Sequence, residues 1–403
     1  MKDGINSKVM KSQNSLLVLK TIMRKAPISR SELTRQVGLT QASVINVTNL
    51  LLEAGVLIEV GQSSEKKQGR RSLVLDIKED AFYNIGVELS VGKLECGIAN
   101  ARGTLIGFEE QYFPSNSGAE ELVEQIGLMV RKFLTGLQID KESVLGLGLA
   151  VPGPLDVENG VMVAPPNFPN LKNAPLQKML EEKLGFRVCI DKETNLAALA
   201  ESFYGASVGY KTSFFLSLFH LGISGGLISE NNIFHGFRDG AGEIGHISVE
   251  TAGRKCSCGN YGCLEAMIAD DYILECVCHD YKIGLETECV EGIESLTLEE
   301  VFRRSREGDP VCEKAVKQTA AYIAMAVGNI INIFSPEMIV LGGDLPEMSD
   351  QLVEMVAERV HRRPYPSHCG EVKLVRSSLG PQVYVKGAAA LVLEKFLVYA
   401  LPG

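Results

Sequence analysis

The hydrophobic pattern of the chain changes character near residue 80. Before it, Leu16, Leu19, Ile22 and Met23 recur at helical spacing and predict a helix stopped by Pro27. Ser29-Arg30-Ser31-Glu32 reads as a capping box opening a short helix that ends at Gly38. Thr40 caps the next helix, in which Val44, Val47 and Leu51 form one apolar stripe and Gly55 marks the end. Two strands follow, VLIEV at 56–60 and SLVLDI at 72–77, around the polar and basic loop GQSSEKKQGRR. Two helices joined by a short glycine-containing turn, then a strand pair with a basic loop, predict a winged helix-turn-helix over residues 1–78.

From Tyr83 onward short β patterns alternate with helical ones. YNIGVELSVGKLECGIANARGTLIG reads as strands around a tight glycine turn, with another turn at Arg102-Gly103. SVLGLGLAVPGPLD (143–156) is a buried strand closed by Pro-Gly-Pro, and FRVCI (186–190) is a strand leading directly into the helix TNLAALAESFYG. TSFFLSLF is another strand, followed by LGISGGLI, which reads as a glycine-rich turn. AYIAMAVGNIINIF predicts a helix stopped at Ser335-Pro336, and MIVLGGDL a strand ending in a glycine pair. The body is therefore α/β, with sites expected at the C-terminal ends of strands.

Charge separates the same two parts. Residues 1–80 hold 13 Lys and Arg against 8 Asp and Glu, whereas the whole chain carries −10. A basic head on an acidic body points to a polyanion that meets only the head. On the second helix of this pair, Ala42, Ile45, Asn46 and Asn49 lie away from the apolar stripe, and Gln41 sits at the helix N-terminus. Amides suit adenine edges in a major groove, and isoleucine suits a thymine methyl. That helix has neither Lys nor Arg, so phosphate anchoring falls to the first helices and to the loop residues Lys66, Lys67, Arg70 and Arg71.

No apolar run is long enough to span a membrane, and MKDGINSKVMKSQN lacks the apolar core of a secretory signal. With 10 cysteines, these features predict a reduced, cytoplasmic protein. The cysteines also carry chemistry. GHISVETAGRKCSCGNYGCLEA packs one histidine and three cysteines into residues 245–266. The C-x-C-x4-C spacing, with Gly259 and Gly262 between, lets a loop fold back on one ion. Cys276, Cys278 and His279 lack an evident fourth partner and read as packing residues.

Four stretches, AVPGPLD…APPNFPNL…APL, DKETNLAALAE, GAGEIGHISV and CSCGNYGCLE, together resemble the ROK family of repressors, open reading frames and sugar kinases. The likeness spans nearly the whole chain, including the winged helix that belongs to the repressor branch, as in xylose-type and N-acetylglucosamine-type regulators. It implies a two-lobed, actin-like (ribonuclease-H-like) body, an ATPase-type α/β fold with sugar bound in the cleft. The expected division is 79–200 for the first lobe, 201–385 for the second with its zinc knuckle, and 386–403 for a C-terminal helix returning to the first lobe. The resemblance implies a structural Zn2+ held by His246, Cys256, Cys258 and Cys263, a closed tetrahedral set with no position for water. It also implies sugar contacts at Asn167, Glu243, His246 and Glu265.

Kinase members of the family differ from this chain at three places. Glu88-Leu89-Ser90-Val91-Gly92 stands where they have Asp-x-Gly-Gly-Thr, and His220-Leu221-Gly222-Ile223-Ser224-Gly225-Gly226 where they have Gly-Thr-Gly-x-Gly-Gly-Gly. Lys192-Glu193 replaces their Asn-Asp, so Glu193 occupies the general-base position with one more methylene. The expectation is a protein without catalytic residues. It would be a sugar-responsive transcriptional regulator, a repressor of a carbohydrate operon that binds operator DNA as a dimer. A small sugar or sugar phosphate would enter the cleft, with Glu193 among its contacts. The alternative is an ATP-dependent sugar kinase that also binds DNA.

Overall fold

The computed structural model describes residues 7–62, 73–219, 222–283, 296–362 and 371–401, with side chains from residue 13 onward except that of Gln62. Lys66, Lys67, Arg70 and Arg71, and His220 and Leu221, lie outside the described residues. By its contacts the chain divides into two units, Met1–Tyr204 with Gln382–Gly403, and Gly205–Pro381. Among the described residues no helix is long and apolar enough to cross a membrane.

The first unit begins with helix α1 (Ser7–Lys25), strand β1 (Ile28–Ser29), and helices α2 (Arg30–Val37) and α3 (Gln41–Glu53). Strands β2 (Leu57–Gln62) and β3 (Leu73–Ile77) follow, and the small sheet has the order β1-β3-β2. Local chemistry sets the helix starts. Ser29 Oγ accepts from the Glu32 amide at 3.3 Å, and Thr40 Oγ1 from the Ser43 amide at 3.2 Å. Gly38 ends α2 at φ 67°, a left-handed position that glycine adopts without strain. The stripe of Val44, Val47 and Leu51 is buried, as its spacing predicts. Among the described side chains of α1 the buried apolar ones are Val18, Leu19 and Ile22, while Leu16 and Met23 are only half-buried.

The rest of this unit holds a five-stranded sheet, in the order β10 (Val188–Lys192), β7 (Val144–Val151), β4 (Tyr83–Ser90), β5 (Gly92–Asn100), β6 (Leu105–Phe113), and a two-stranded one of β8 (Leu155–Asp156) and β9 (Val161–Met162). Strands β4, β5 and β6 form an antiparallel meander. Strands β7 and β10 add in parallel to β4. Helices α4 (Ala119–Gly136) and α5 (Leu176–Leu184) contribute Leu122, Ile126, Met129, Leu176 and Leu180 to the core of the sheet. On this sheet lie α6 (Glu193–Tyr204) and the last helix, α13 (Val383–Phe396). The close approach of α13 depends on missing side chains: a Cβ at Gly86 would stand 2.0 Å from Val385 O, and one at Gly148 2.0 Å from Ala388 O.

The second unit repeats the same topology. Strands β11 (Ser213–Phe219), β12 (Gly222–Ser229) and β13 (Asn232–Ile233) form the meander, and β14 (Met338–Gly342) and β15 (Lys373–Arg376) add in parallel to β11. The stretch LGISGGLI is thus mostly strand, not turn. Gly222, Gly225 and Gly226 pair in register with Phe219, Leu216 and Phe215 of β11, and Gly225 leaves room for the Phe214 ring. Helices α7 (Leu264–Met267), α8 (Asp270–Lys282), α9 (Leu298–Arg306), α10 (Pro310–Phe334), α11 (Asp344–Met348) and α12 (Asp350–His361) complete it. Helix α10 begins well before AYIAMAVGNIINIF, because Asp309 caps the amides of Val311 and Cys312 and Pro310 fits the first turn. Its buried face, including Val316, Ile323, Val327 and Ile330, forms the core of this unit.

Candidate metal centre and effector site

Residues 244–265 form a loop with almost no apolar core of its own. Its buried cluster is only Cys256, Cys263 and Ala266. Backbone bonds fold it back: the Cys256 amide donates to Asn260 O at 2.8 Å, Gly262 to Arg254 O at 2.8 Å and Leu264 to Ile247 O at 2.9 Å. Gly262, at φ 64°, lies where a Cβ would meet Glu250 O at 1.6 Å, so the turn excludes any other residue.

This fold-back brings His246, Cys256, Cys258 and Cys263 together, with their ligand atoms all within 4.8 Å of one another. Cys258 Sγ lies 3.7 Å from Cys263 Sγ, and Cys256 Sγ lies 3.6 Å from His246 Nδ1. A tetrahedral zinc with ordinary bond lengths needs sulfurs about 3.8 Å apart and nitrogen about 3.6 Å from sulfur. The donor set and these two edges therefore fit one four-coordinate cation. Burial pushes the Cys263 thiol up to about 12, while the Asn260 amide lowers that of the exposed Cys258. Nδ1 is the ring nitrogen turned to Cys256, and a cation bound there would leave Nε2 as a hydrogen-bond donor fixed in direction.

The predicted sugar residues fall in both units. In the second, Glu243 is exposed one residue before the 3-10 turn that carries half-buried His246, and the His246 amide donates to Glu243 O at 3.2 Å. Glu265, in α7, is half-buried and accepts from the Ile223 amide at 3.2 Å. In the first unit, Asn167 is exposed on a turn anchored by fully buried Phe168. Glu193 is the half-buried first residue of α6. Its placement involves Asp191, which sequence reasoning missed. This buried carboxylate accepts from the Lys192 amide at 2.7 Å and from Asn195 Nδ2 at 2.8 Å, tying β10 to the helix start.

The hairpin at Val91-Gly92 carries a second unforeseen feature. Its register sets Glu88 opposite Glu95, both buried, and each has an oxygen without a hydrogen-bond partner. Burial, then a hydrogen bond to Glu95, holds the Glu88 carboxyl well above the usual range. Lys93 Nζ pairs with Glu95 at 2.9 Å, and Glu193 adds further negative potential at Glu88. The two-residue turn alone could have revealed this pairing, since it fixes which residues face each other.

In the head, Gln41, Ala42, Ile45, Asn46 and Asn49 are all exposed on α3. Arg30, at the start of α2, donates from Nε to Thr48 Oγ1 at 3.1 Å and from Nη2 to Asn49 Oδ1 at 3.3 Å. It also pairs with Glu59 on β2 at 3.2 Å. Cavities among the described residues of the second unit include the following two. One of about 580 Å³ is lined by residues of α10 and α12 and shares none of the predicted site residues. The other, about 310 Å³, includes Cys256 and Glu265 in its wall.

A two-unit α/β fold with a repeated five-strand topology, a cluster of one histidine and three cysteines beside acidic residues, and an added helical head defines the class. The ROK family model matches residues 84–395, and the chain belongs to the ROK family. The xylose repressor of Caldicellulosiruptor bescii is 30% identical over 396 residues, covering 98% of each chain. A crystal structure of a ROK family transcriptional regulator, described as a homolog of the E. coli MLC protein, superposes with a TM-score of 0.80 at 26% identity. It covers 97% of this chain and 98% of that one. The ROK hexokinase from Thermus thermophilus matches with a TM-score of 0.61 at 28% identity, covering 97% of its own length but 77% of this chain.

Proposed function

We propose that this protein is a sugar-responsive transcriptional repressor of a carbohydrate-utilisation operon, acting in the cytoplasm. The observation that carries the reading is the extent of the likeness. A xylose repressor matches over 98% of the chain, including the head that lies before the family model's first matched residue, 84. The hexokinase leaves about a quarter of the chain unmatched.

The head, over residues 1–78, is read as a winged helix-turn-helix with α3 as the recognition helix. Asn46 is the strongest candidate for bidentate adenine contact, because Asn49 already gives its oxygen to Arg30. Gln41 stands at the helix N-terminus, where recognition helices meet base edges. Lys66, Lys67, Arg70 and Arg71 would anchor phosphates from the wing. A dimer would place two such helices in half-sites about 34–36 Å apart.

His246, Cys256, Cys258 and Cys263 would hold a structural Zn2+, whose role is to fix the loop and aim the free nitrogen of His246 at a sugar hydroxyl. Glu243 and Glu265 would accept from neighbouring hydroxyls, and Asn167 and Glu193 are the contacts assigned to the first unit. Phosphoryl transfer is read as lost. Phosphates need backbone amides and cations at the first hairpin, whereas this chain has the exposed Val91 side chain at its tip and the buried Glu88–Glu95 carboxylate pair. A gel shift of the full-length protein on the promoter of its neighbouring operon tests the reading. Retardation that a sugar alters supports it, and retardation that no sugar or sugar phosphate alters speaks against it.

A further inference from the structure

The cavity of about 310 Å³ beside Glu265 lies within the second unit and shares a wall with the metal loop. Phe219, Ile223 and Ile268 give it an apolar lining, and Arg254, Lys255 and Asp271 stand among its polar residues. It holds about ten water volumes and sits at the lower edge of the range, about 300–1,000 Å³, that takes small organic ligands. Of the residues read above as bonded to the first sugar, Glu265 stands in this wall, whereas Glu243 and His246 are not among its lining residues.

The electrostatics select what could fill it. Asp271 grips Arg254 through both guanidinium nitrogens, Nη1 to Oδ1 at 2.8 Å and Nη2 to Oδ2 at 2.5 Å. The formal charges of Arg254 and Lys255 are balanced by those of Asp271 and Glu265. A phosphate gains little from such a wall, since Arg254's fork is already occupied and Glu265 repels it. A neutral pyranose fits better: its C–H face suits the apolar lining, and its hydroxyls suit fixed ionic groups that both donate and accept.

We propose that this cavity is a second sugar subsite, so that the effector is a neutral disaccharide or larger glycoside whose linkage passes Glu265. The proposal rests on the effector reading above and extends it from a monosaccharide to a linked sugar. Cys256 belongs both to the cavity wall and to the metal set, so the metal loop would shape this subsite as well as the first.

Calorimetry on the full-length, metal-loaded protein tests it with xylose, xylobiose, glucose, cellobiose and xylose 1-phosphate. The wild type is expected to bind one of the disaccharides at least about tenfold tighter than its monosaccharide, about 1.4 kcal/mol. Ala269→Phe, which puts a ring into the cavity, should remove that gain and leave monosaccharide affinity within about twofold. Asp271→Ala, at an exposed clamp residue, should reduce the gain without loss of bound metal. Equal affinity for mono- and disaccharide, or a gain only for the phosphate, overturns the subsite. No binding of any probe by wild-type protein overturns the effector reading itself and the subsite with it.

Discussion

Lys20 on α1 joins the head to the body, and its removal should uncouple them. Its Nζ lies 3.7 Å from the centroid of the Phe203 ring on α6 and 3.8 Å from Glu394 Oε2 on α13. The side chain is about one-fifth exposed, and burial lowers its pKa, against the opposing pull of Glu394. A largely desolvated cation over an aromatic face contributes about 1–2 kcal/mol, and the ion pair, at this long distance, up to about 1 kcal/mol. Lys20→Met keeps the length and loses both, so the head should be held to the body by about 1–3 kcal/mol less. Helix α6 starts at Glu193 and ends beside Phe203, so it links the assigned sugar contact to Lys20 through one rigid element.

The consequence is a weakened sugar response. Allosteric coupling of about 1–3 kcal/mol corresponds to about 5–150-fold in operator affinity, and a loss of this size would cancel most of it. Fluorescence anisotropy of labelled operator, measured with and without sugar, reads the ratio directly. Lys20→Met should bind operator alone within a few-fold of wild type while its sugar-dependent ratio approaches one. Phe203→Leu should act in the same direction, and the double variant should fall short of the sum of the singles, as for residues in contact. A Lys20→Met protein with an undiminished sugar-dependent ratio would refute the route through α6.

Three other expectations follow from the same geometry. Asn46→Ala should relax base preference by about 1–3 kcal/mol at one position per half-site, whereas Arg70→Ala with Arg71→Ala should weaken binding to all sequences and lower its salt dependence; binding-site selection and salt titrations separate the two. Metal analysis should find about one zinc per chain, and His246→Ala should lower both zinc content and sugar affinity; normal sugar binding by that variant contradicts the linked roles. Glu88 holds its proton more tightly folded than unfolded, so its contribution to stability is present at low pH and is lost as pH rises through its raised folded value. Urea unfolding should show the wild type losing up to about 1.4 kcal/mol per pH unit over that window, with Glu88→Gln flat across it.

What the sequence revealed was mostly local. Ser29, Thr40 and Gly38 act within one turn of chain, and the Val44/Val47/Leu51 stripe needs only helical periodicity. The cluster of His246, Cys256, Cys258 and Cys263, which could hold a metal ion, is legible because the loop that folds these residues together is short. Strand β12 was not legible: Gly222, Gly225 and Gly226 lack β-branched side chains, and their partner residues on β11 and the space taken by the Phe214 ring are tertiary facts. The start of α10 carried its signal in Asp309-Pro310, a cap and a first-turn proline, ahead of the apolar run that first suggests the helix. The meeting of Lys20 with Phe203 and Glu394, and of Glu265 with Ile223, joins distant parts of the chain that no spacing rule brings together.

The central claim is that a sugar governs operator binding without being phosphorylated. Sugar titrated into a full-length protein–operator complex in the presence of ATP, with operator anisotropy and ADP release followed together, tests it most directly. The account predicts that operator occupancy changes as the sugar site fills and that no ADP forms. ADP release at ordinary kinase rates of about 1–100 s⁻¹, with operator occupancy indifferent to the sugar, would contradict it.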